Sequence, residues 1–251
     1  MRFSVIVPIY NTAGTIVRCV ESIIASGLPE GDYEIILVND GSTDDSGRVC
    51  DSLVRNYPFI RVTAQDNKGV SVARNTGVAM STGEYVCFCD SDDYFASGGL
   101  RNVIRHCGEG IDMVRYYRDF VFQDGRKRIM PTDRKERKVT FQGSGKEYLR
   151  RFGVETFCWN YLFRRDFLFS KGLFFTPGII AAEDADFMFR VMMADPMIIS
   201  LDDHVYQYSI RPNSISTDKS QGQSRRGIFS PAQWMFRHFF LPIAYPRLLH
   251  D

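Results

Sequence analysis

The chain has 251 residues and a mass of 28.8 kDa, with 44% hydrophobic and 24% charged residues. That balance suits a globular protein able to bury a core without metal or disulfide support. The formal net charge of +1 argues against a dedicated nucleic-acid partner, and no stretch approaches the roughly 18 apolar residues of a membrane-spanning helix. Six cysteines are too few for a disulfide framework. Met1–Tyr10 enters a strand-like pattern directly, without a secretory layout. The expected compartment is a reducing cytoplasm.

In chain order, strands and helices alternate through the first half. Phe3–Ile9 is a continuous apolar run and reads as a buried strand. Ile16, Val20, Ile23 and Ile24 follow at helical spacing. Tyr33–Asn39 reads as a second strand, Thr43–Tyr57 as a helix, Phe59–Ala64 as a third strand, Val70–Met80 as a helix and Glu84–Asp90 as a fourth strand. This alternation predicts an α/β fold, a mainly parallel sheet flanked by helices, with ligands outside the carboxyl ends of the strands.

The second half is less regular. A helix is expected over Leu100–Cys107, a strand over Ile111–Tyr117, and a hairpin or insert over Arg118–Gln142 around the turn signal Asp124-Gly125. Gly145–Phe152 reads as a short helix, Cys158–Phe163 as a strand, Glu183–Ala194 as a helix and Val205–Ile210 as a short strand. Residues 219–227 read as a linker, and 231–250 as an aromatic, basic tail broken by Pro242 and Pro246. The segment from Arg115 to Arg151 carries 12 basic and 5 acidic residues, and Lys219 to Asp251 carries 5 and 1. The remainder is therefore acidic, as a carboxylate-rich metal site would be. The basic segments fit phosphates or an anionic membrane surface, and equally a solvated hairpin and helix face.

Chemistry concentrates at the predicted strand ends. Asp90-Ser91-Asp92-Asp93 closes the fourth strand with three carboxylates in four residues. Mg²⁺ or Mn²⁺ prefers such hard oxygens and leaves room for substrate phosphates, although an acidic turn capping a helix has the same look. Asp40, before Gly41, can accept from a base N–H or make an Asx turn. Tyr10, after the first strand, can stack on a base or simply pack. The loop Asn67–Gly77 is neither a Walker loop nor a dinucleotide fingerprint, and its Arg74 can orient the site or bridge to Asp90. Glu183-Asp184 opens a predicted helix, where the pair can cap it or take a proton from an acceptor hydroxyl. Cys87 and Cys89 read as small buried residues. His204 is a candidate third metal ligand or diphosphate donor, set against an ordinary core or surface histidine.

Taken together, SVIVPIYN (4–11), EIILVNDGSTDDS (34–46), NKGVSVARNTG (67–77), GEYVCFCDSDD (83–93), WNYLFRRDFL (159–168) and AEDADFMFRV (182–191) resemble the family 2 glycosyltransferases of the GT-A fold. Asn39 stands where the family commonly has an aspartate. The resemblance implies a catalytic domain over 1–218, with a nucleotide-binding half to about 95 and an acceptor half from 96, followed by a helical tail at 219–251. It implies an inverting transfer from a nucleotide-diphosphate sugar, UDP-linked by preference, to an acceptor hydroxyl in bacterial capsule, lipopolysaccharide or exopolysaccharide synthesis. Asp40 would bind the base, in a pocket shaped by Pro8 and Tyr10. Asp92, with Asp90 and Asp93, would hold Mn²⁺ or Mg²⁺ against the diphosphate. Asp184 would be the general base supported by Glu183, Trp159 and Asn160 would line the sugar or acceptor side, and Arg211 and Ser214 would close over the diphosphate. The expected partners are a nucleotide-sugar donor, a glycan or lipid-linked acceptor and no nucleic acid. Peripheral contact with the inner face of the plasma membrane through the tail, and a homodimer, are further expectations. A sugar nucleotidyltransferase and a non-catalytic nucleotide- or carbohydrate-binding module are the competing readings.

Overall fold

The computed structural model describes residues 2–129, 139–153, 155–179 and 182–210. Arg211, Ser214 and the 219–251 tail lie outside the described residues, as does part of the expected 118–142 hairpin.

The first half builds a parallel sheet. Strands β1 (Phe3–Ile9), β2 (Tyr33–Asp40), β3 (Ile60–Gln65) and β4 (Tyr85–Phe88) alternate with helices α1 (Ile16–Ile24), α2 (Ser46–Asn56) and α3 (Val70–Met80). β1 lies between β2 and β4, with Ser4 opposite Glu34, Ile9 opposite Asn39 and Ile6 opposite Phe88. All seven residues of β1 are buried, because helices cover such a sheet on both faces and leave no side for water. Pro8 is tolerated in this central strand where pairing with β4 has already stopped at Ile6. Gly77 lets α3 lie directly on β1: a Cβ there would stand 2.2 Å from Ile6 Cγ2.

The second half extends the same sheet with mixed strand directions. It comprises β5 (Tyr94–Phe95), α4 (Leu100–Val103), β6 (Met113–Phe122), β7 (Lys127–Ile129), β8 (Val139–Ser144), α5 (Gly145–Phe152), β9 (Tyr161–Arg164), α6 (Arg165–Ser170), α7 (Glu183–Met193) and β10 (Met197–Ile210). The strand order is β3-β2-β1-β4-β9-β6-β10-β5, with β7 paired to β6 and β8 to β10. β9 is antiparallel to both β4 and β6, whereas β6 and β10 run parallel. The parallel expectation thus holds for β1–β4, and the rest of the sheet is mixed.

β5 was not foreseen, β6 runs to Phe122 rather than ending at Tyr117, and four further elements differ from the sequence reading. β10 is 14 residues long rather than a short strand from Val205. The polar run Asp202-Asp203-His204 hid its first half. These residues fit because Asp203 accepts from Asn102 Nδ2 at 2.8 Å, His204 pairs with Asp119, and the register shifts at that point. Leu100–Cys107 makes a single α-turn and then a 3-10 turn, Ile104–His106. The strand expected from Cys158 begins as a 3-10 turn, Cys158–Asn160, and becomes extended only at Tyr161. α6 lies in a stretch the periodicity did not flag.

Candidate active site

Three loops at the carboxyl edge of the parallel strands are stitched into one floor. Asn11, after β1, sits at φ 53°, and its Oδ1 accepts from the Thr43 and Asp44 amides beyond β2, at 2.8 and 3.3 Å. The Thr12 amide donates to Ser46 Oγ at 2.9 Å, and the Ala13 amide to Asp44 Oδ2 at 3.1 Å. Thr12 Oγ1 meets Ser91 Oγ at 2.9 Å, which ties the β1 loop to the Asp90–Asp93 loop. Asp40 is buried and accepts from Gln65 Nε2 (2.7 Å) and from the Lys68 (3.0 Å) and Gly69 (2.9 Å) amides. Gly41, at φ +72°, permits this approach: a Cβ would lie 2.7 Å from the Asn67 nitrogen. Beside this floor Tyr10 is 48% exposed, with its ring available for stacking, and Pro8 is buried within β1.

Arg74 is the centre of the site. The contact of α3 on β1 carries its guanidinium under the strand ends, and the side chain is buried. Nη2 donates to Asp90 Oδ1 at 2.9 Å, and Nη1 to Glu183 Oε1 at 3.1 Å and Asp184 Oδ1 at 2.5 Å. Its Nε has no partner among the described residues. Burial works against the charge on Arg74, but Asp184, Asp90 and Glu183 together hold its pKa well above normal. Glu183 and Asp184 begin α7 just after Ala182, which takes a left-handed φ of 66°, and the helix N-terminus favours their charge. Burial nevertheless raises the Asp184 carboxyl to about 6, against the pull of Arg74. The Cys158 thiol donates to the same Oδ1 at 3.4 Å.

The Asp90–Asp93 loop is also fastened to β10. Asp93 is buried, and burial together with the neighbouring Asp90 raises its pKa to about 8. It accepts from Tyr206 Oη at 2.8 Å and from the Ser209 amide at 2.7 Å. Tyr206 Oη also receives the Asp90 amide at 3.1 Å. Arg18, from α1, donates to the Asp92 carbonyl (2.6 Å) and Ser209 Oγ (3.1 Å), with its guanidinium 4.6 Å from the Tyr94 ring centre.

The structure thus gathers Asp90, Glu183 and Asp184 on one guanidinium, with Asp92 and Asp93 on the adjoining loop. Asp93 directs its oxygens to β10. His204 places Nδ1 2.6 Å from Asp119 and stacks on Tyr117. Trp159 is nearly buried, its ring centre 4.3 Å from that of Tyr206, and Asn160 donates to Glu155 at 2.7 Å. Sequence reasoning missed Asn11, Arg18, Cys158 and Tyr206 as parts of the site. Only Asn11, an Asx-turn residue directly after a strand, carried a local signal.

Comparison with known proteins decides the family. The model described as glycosyl transferase family 2 matches residues 4–169. The chain belongs to this family. It is 32% identical over 219 residues to the uncharacterized glycosyltransferase EpsJ of Bacillus subtilis, covering 85% of this chain and 62% of that one. It is 35% identical over 102 residues to the poly(ribitol-phosphate) beta-glucosyltransferase of Bacillus spizizenii, covering 40% of this chain and 16% of that one. The crystal structure of S. aureus TarS 1-349 in complex with UDP-GlcNAc aligns with a TM-score of 0.70 at 25% identity, over 85% of this chain and 60% of that one. The fold is accordingly the GT-A fold, and the chain spans about three-fifths of the length of EpsJ and of the TarS 1-349 fragment. Among the described residues no helix is long and apolar enough to cross a membrane.

Proposed function

We propose that this family 2 chain moves a sugar from a UDP-sugar to a hydroxyl of a cell-envelope glycan, with inversion at the anomeric carbon. One observation carries the reading: buried Arg74 joins Asp90, at the β4 end, to Glu183 and Asp184, at the α7 start. In this reading the edge that would bind the diphosphate lies beside the proton acceptor. The UDP-GlcNAc complex of TarS supports the donor class, and the poly(ribitol-phosphate) enzyme supports an envelope acceptor.

In this reading Asp40 accepts from the uracil N–H, with Tyr10 on the base and Pro8 shaping the pocket from within β1. The donor side also needs a cation. Asp90, Glu183 and Asp184 outnumber the single Arg74 that binds them, so an anionic diphosphate would meet net negative charge. Asp92 and Asp90 would hold Mn²⁺ or Mg²⁺. Among the described residues no group of three or more His, Cys, Asp or Glu is assembled as a metal cage. Mg²⁺ is commonly held by one or two carboxylates, with substrate phosphates completing its shell. When bound, the ion would neutralise charge on the leaving diphosphate. Asp93 serves this loop by anchoring it to β10, and His204 stands with Asp119 as a support of the β6–β10 pair.

Asp184 takes the proton from the acceptor hydroxyl as that oxygen attacks the anomeric carbon opposite the leaving nucleotide. Arg74 holds Oδ1 and leaves Oδ2 to meet the hydroxyl, and Glu183 shares the guanidinium. Trp159 and Asn160, both buried, would support the acceptor side from beneath, on the segment that carries Cys158. The test is Asp184→Asn. Positioned general-base catalysis is worth about 10²–10⁴-fold, so UDP release from a UDP-sugar panel should fall by that factor while calorimetric UDP binding persists. Turnover within tenfold of wild type would remove Asp184 from the role.

A further inference from the structure

The basic segment of the sequence reaches the site edge in the β6–β7 hairpin. β9 is antiparallel to both β4 and β6, so β6 runs in the same sense as the parallel strands and ends at the same edge of the sheet. The Phe122 amide donates to the Arg126 carbonyl at 2.9 Å and closes the turn. Ser209, whose amide donates to Asp93 at 2.7 Å, is the register partner of Val121. The hairpin therefore stands beside the Asp90–Asp93 loop.

Register sorts its charges onto faces. Phe120 lies opposite Arg128, and residues two apart in a strand share a face. One face thus carries Arg118, Phe120, Phe122, Arg126 and Arg128, with guanidinium and ring interleaved. Arg118 and Arg115 are both tied to Glu155 and largely covered. Arg126 and Arg128 are exposed. Asp124 accepts from the Arg126 amide at 3.0 Å and from its Nε at 2.6 Å, and the Phe122 ring centre lies 5.6 Å from the guanidinium. Among the described residues only the Nε side of that guanidinium is engaged, so its Nη groups face outward on a held fork. On the opposite face Lys127 Nζ donates to Gln207 Oε1 at 2.9 Å.

Charge sets this ribbon apart from the pocket beside it. Arg115, Arg118, Arg126 and Arg128 face two acids, Glu155 and Asp124. At Arg74 the balance is reversed, with one cation against Asp90, Glu183 and Asp184. An anionic polymer is drawn to the first region and repelled by the second. Its phosphates settle on the ribbon, and a neutral hydroxyl is the group that can approach Asp184. A guanidinium fork suits phosphate oxygens, and Arg126 and Arg128 stand ~7 Å apart along one strand. The tip speaks against a membrane. Its residues are Gln123, Asp124 and Gly125, all exposed, with no large apolar side chain to enter a bilayer.

We propose that the β6–β7 hairpin, through Arg126 and Arg128, docks an acceptor glycan that carries phosphodiester groups in its backbone. This assignment rests on the glycosyltransferase reading and deepens it by giving the acceptor a charge. Asp124 is a positioning residue, since it fixes the Arg126 guanidinium over Phe122. Both docking cations are exposed, so the affinity falls as salt rises.

The experiment is calorimetric titration of the full chain, at low and high salt, with synthetic oligomers of glycerol phosphate and of ribitol phosphate. A neutral dextran oligomer is the control, and flotation with vesicles of equal parts phosphatidylglycerol and phosphatidylcholine tests a lipid surface. Wild type is compared with the double variant Arg126→Gln, Arg128→Gln, whose substitutions are exposed, and UDP binding with Mn²⁺ is measured on each protein. The expected result is salt-sensitive binding of a phosphodiester oligomer by wild type, about tenfold weaker in the variant for the loss of two charge-assisted contacts, with UDP binding unchanged. Dextran bound as tightly as the phosphodiesters, a variant that binds them as well as wild type, or flotation with vesicles in the absence of oligomer binding would overturn the docking site alone. Wild type that fails to bind UDP would overturn the glycosyltransferase reading, and the acceptor role of the hairpin with it.

Discussion

Two carboxylates at opposite ends of the same parallel strands, buried Glu34 and half-buried Asp184, are treated in opposite ways. Glu34, near the start of β2, accepts from Ser4 Oγ (2.8 Å), the Thr82 amide and hydroxyl (both 2.7 Å) and Arg61 Nη1 (3.0 Å). Burial opposes its charge, but the bonds from Thr82, Ser4 and Arg61 outweigh that and lower its pKa to about 2. Asp184, across from the strand ends, shares Arg74 with two other acids, and burial lifts it to about 6. At one edge every bond favours the charged form, which is what a stabilising contact requires. At the other edge acids are crowded and under-compensated, which is how a fold keeps a carboxylate ready to accept a proton.

The largest test of this contrast is Arg74→Ala. Removing one partner of a buried ion pair costs about 3–5 kcal/mol, and because Arg74 is buried while its acids are partly exposed, the loss should approach the lower end of that range. Urea unfolding should show a loss of that size and Arg74→Lys a smaller one. An alanine variant as stable as wild type would mean that the cluster is not held by the guanidinium. A smaller effect is expected at the other edge. Glu34→Gln should cost about 1–3 kcal/mol at neutral pH, since it weakens a fully bonded buried acceptor. Its folded pKa lies below the unfolded value of 4.5. The wild-type advantage should therefore be complete above pH 4.5 and vanish as pH falls toward 2. A constant difference across that range would contradict the assigned bonds. The gentlest test is the acid limb of turnover. Asp184 must be ionised to take a proton, so kcat/KM should fall about tenfold per pH unit below an apparent pKa near 6. A limb near 4 would place the base in an ordinary solvated setting.

The same contrast explains what the sequence could reveal. β1, β2 and α3 were legible because continuous β-branched runs and helical spacing are local signals, and α3 was predicted at its observed bounds. Asp40, Asp90 and Glu183-Asp184 were legible as acids at element ends. The bridge from Arg74 to Asp90 was legible too, but its pairing with Glu183 and Asp184 was not, because those acids lie more than a hundred residues further along the chain. Asp93 looked equivalent to Asp92 for the same reason: nothing local shows that Tyr206 and Ser209, more than a hundred residues later, claim its oxygens. β10 was half hidden because Asp202, Asp203 and His204 read as loop until their partners on neighbouring elements are known.

The most direct test of the central claim, a donor site at the carboxyl edge, is calorimetric titration of UDP into wild type and Asp92→Ala, with Mn²⁺ and with chelator. The account predicts binding to wild type that needs Mn²⁺ and is weakened at least about tenfold by the substitution, in line with the loss of a metal-ligating carboxylate. Equal binding by both proteins, or no UDP binding by folded wild type, would contradict it.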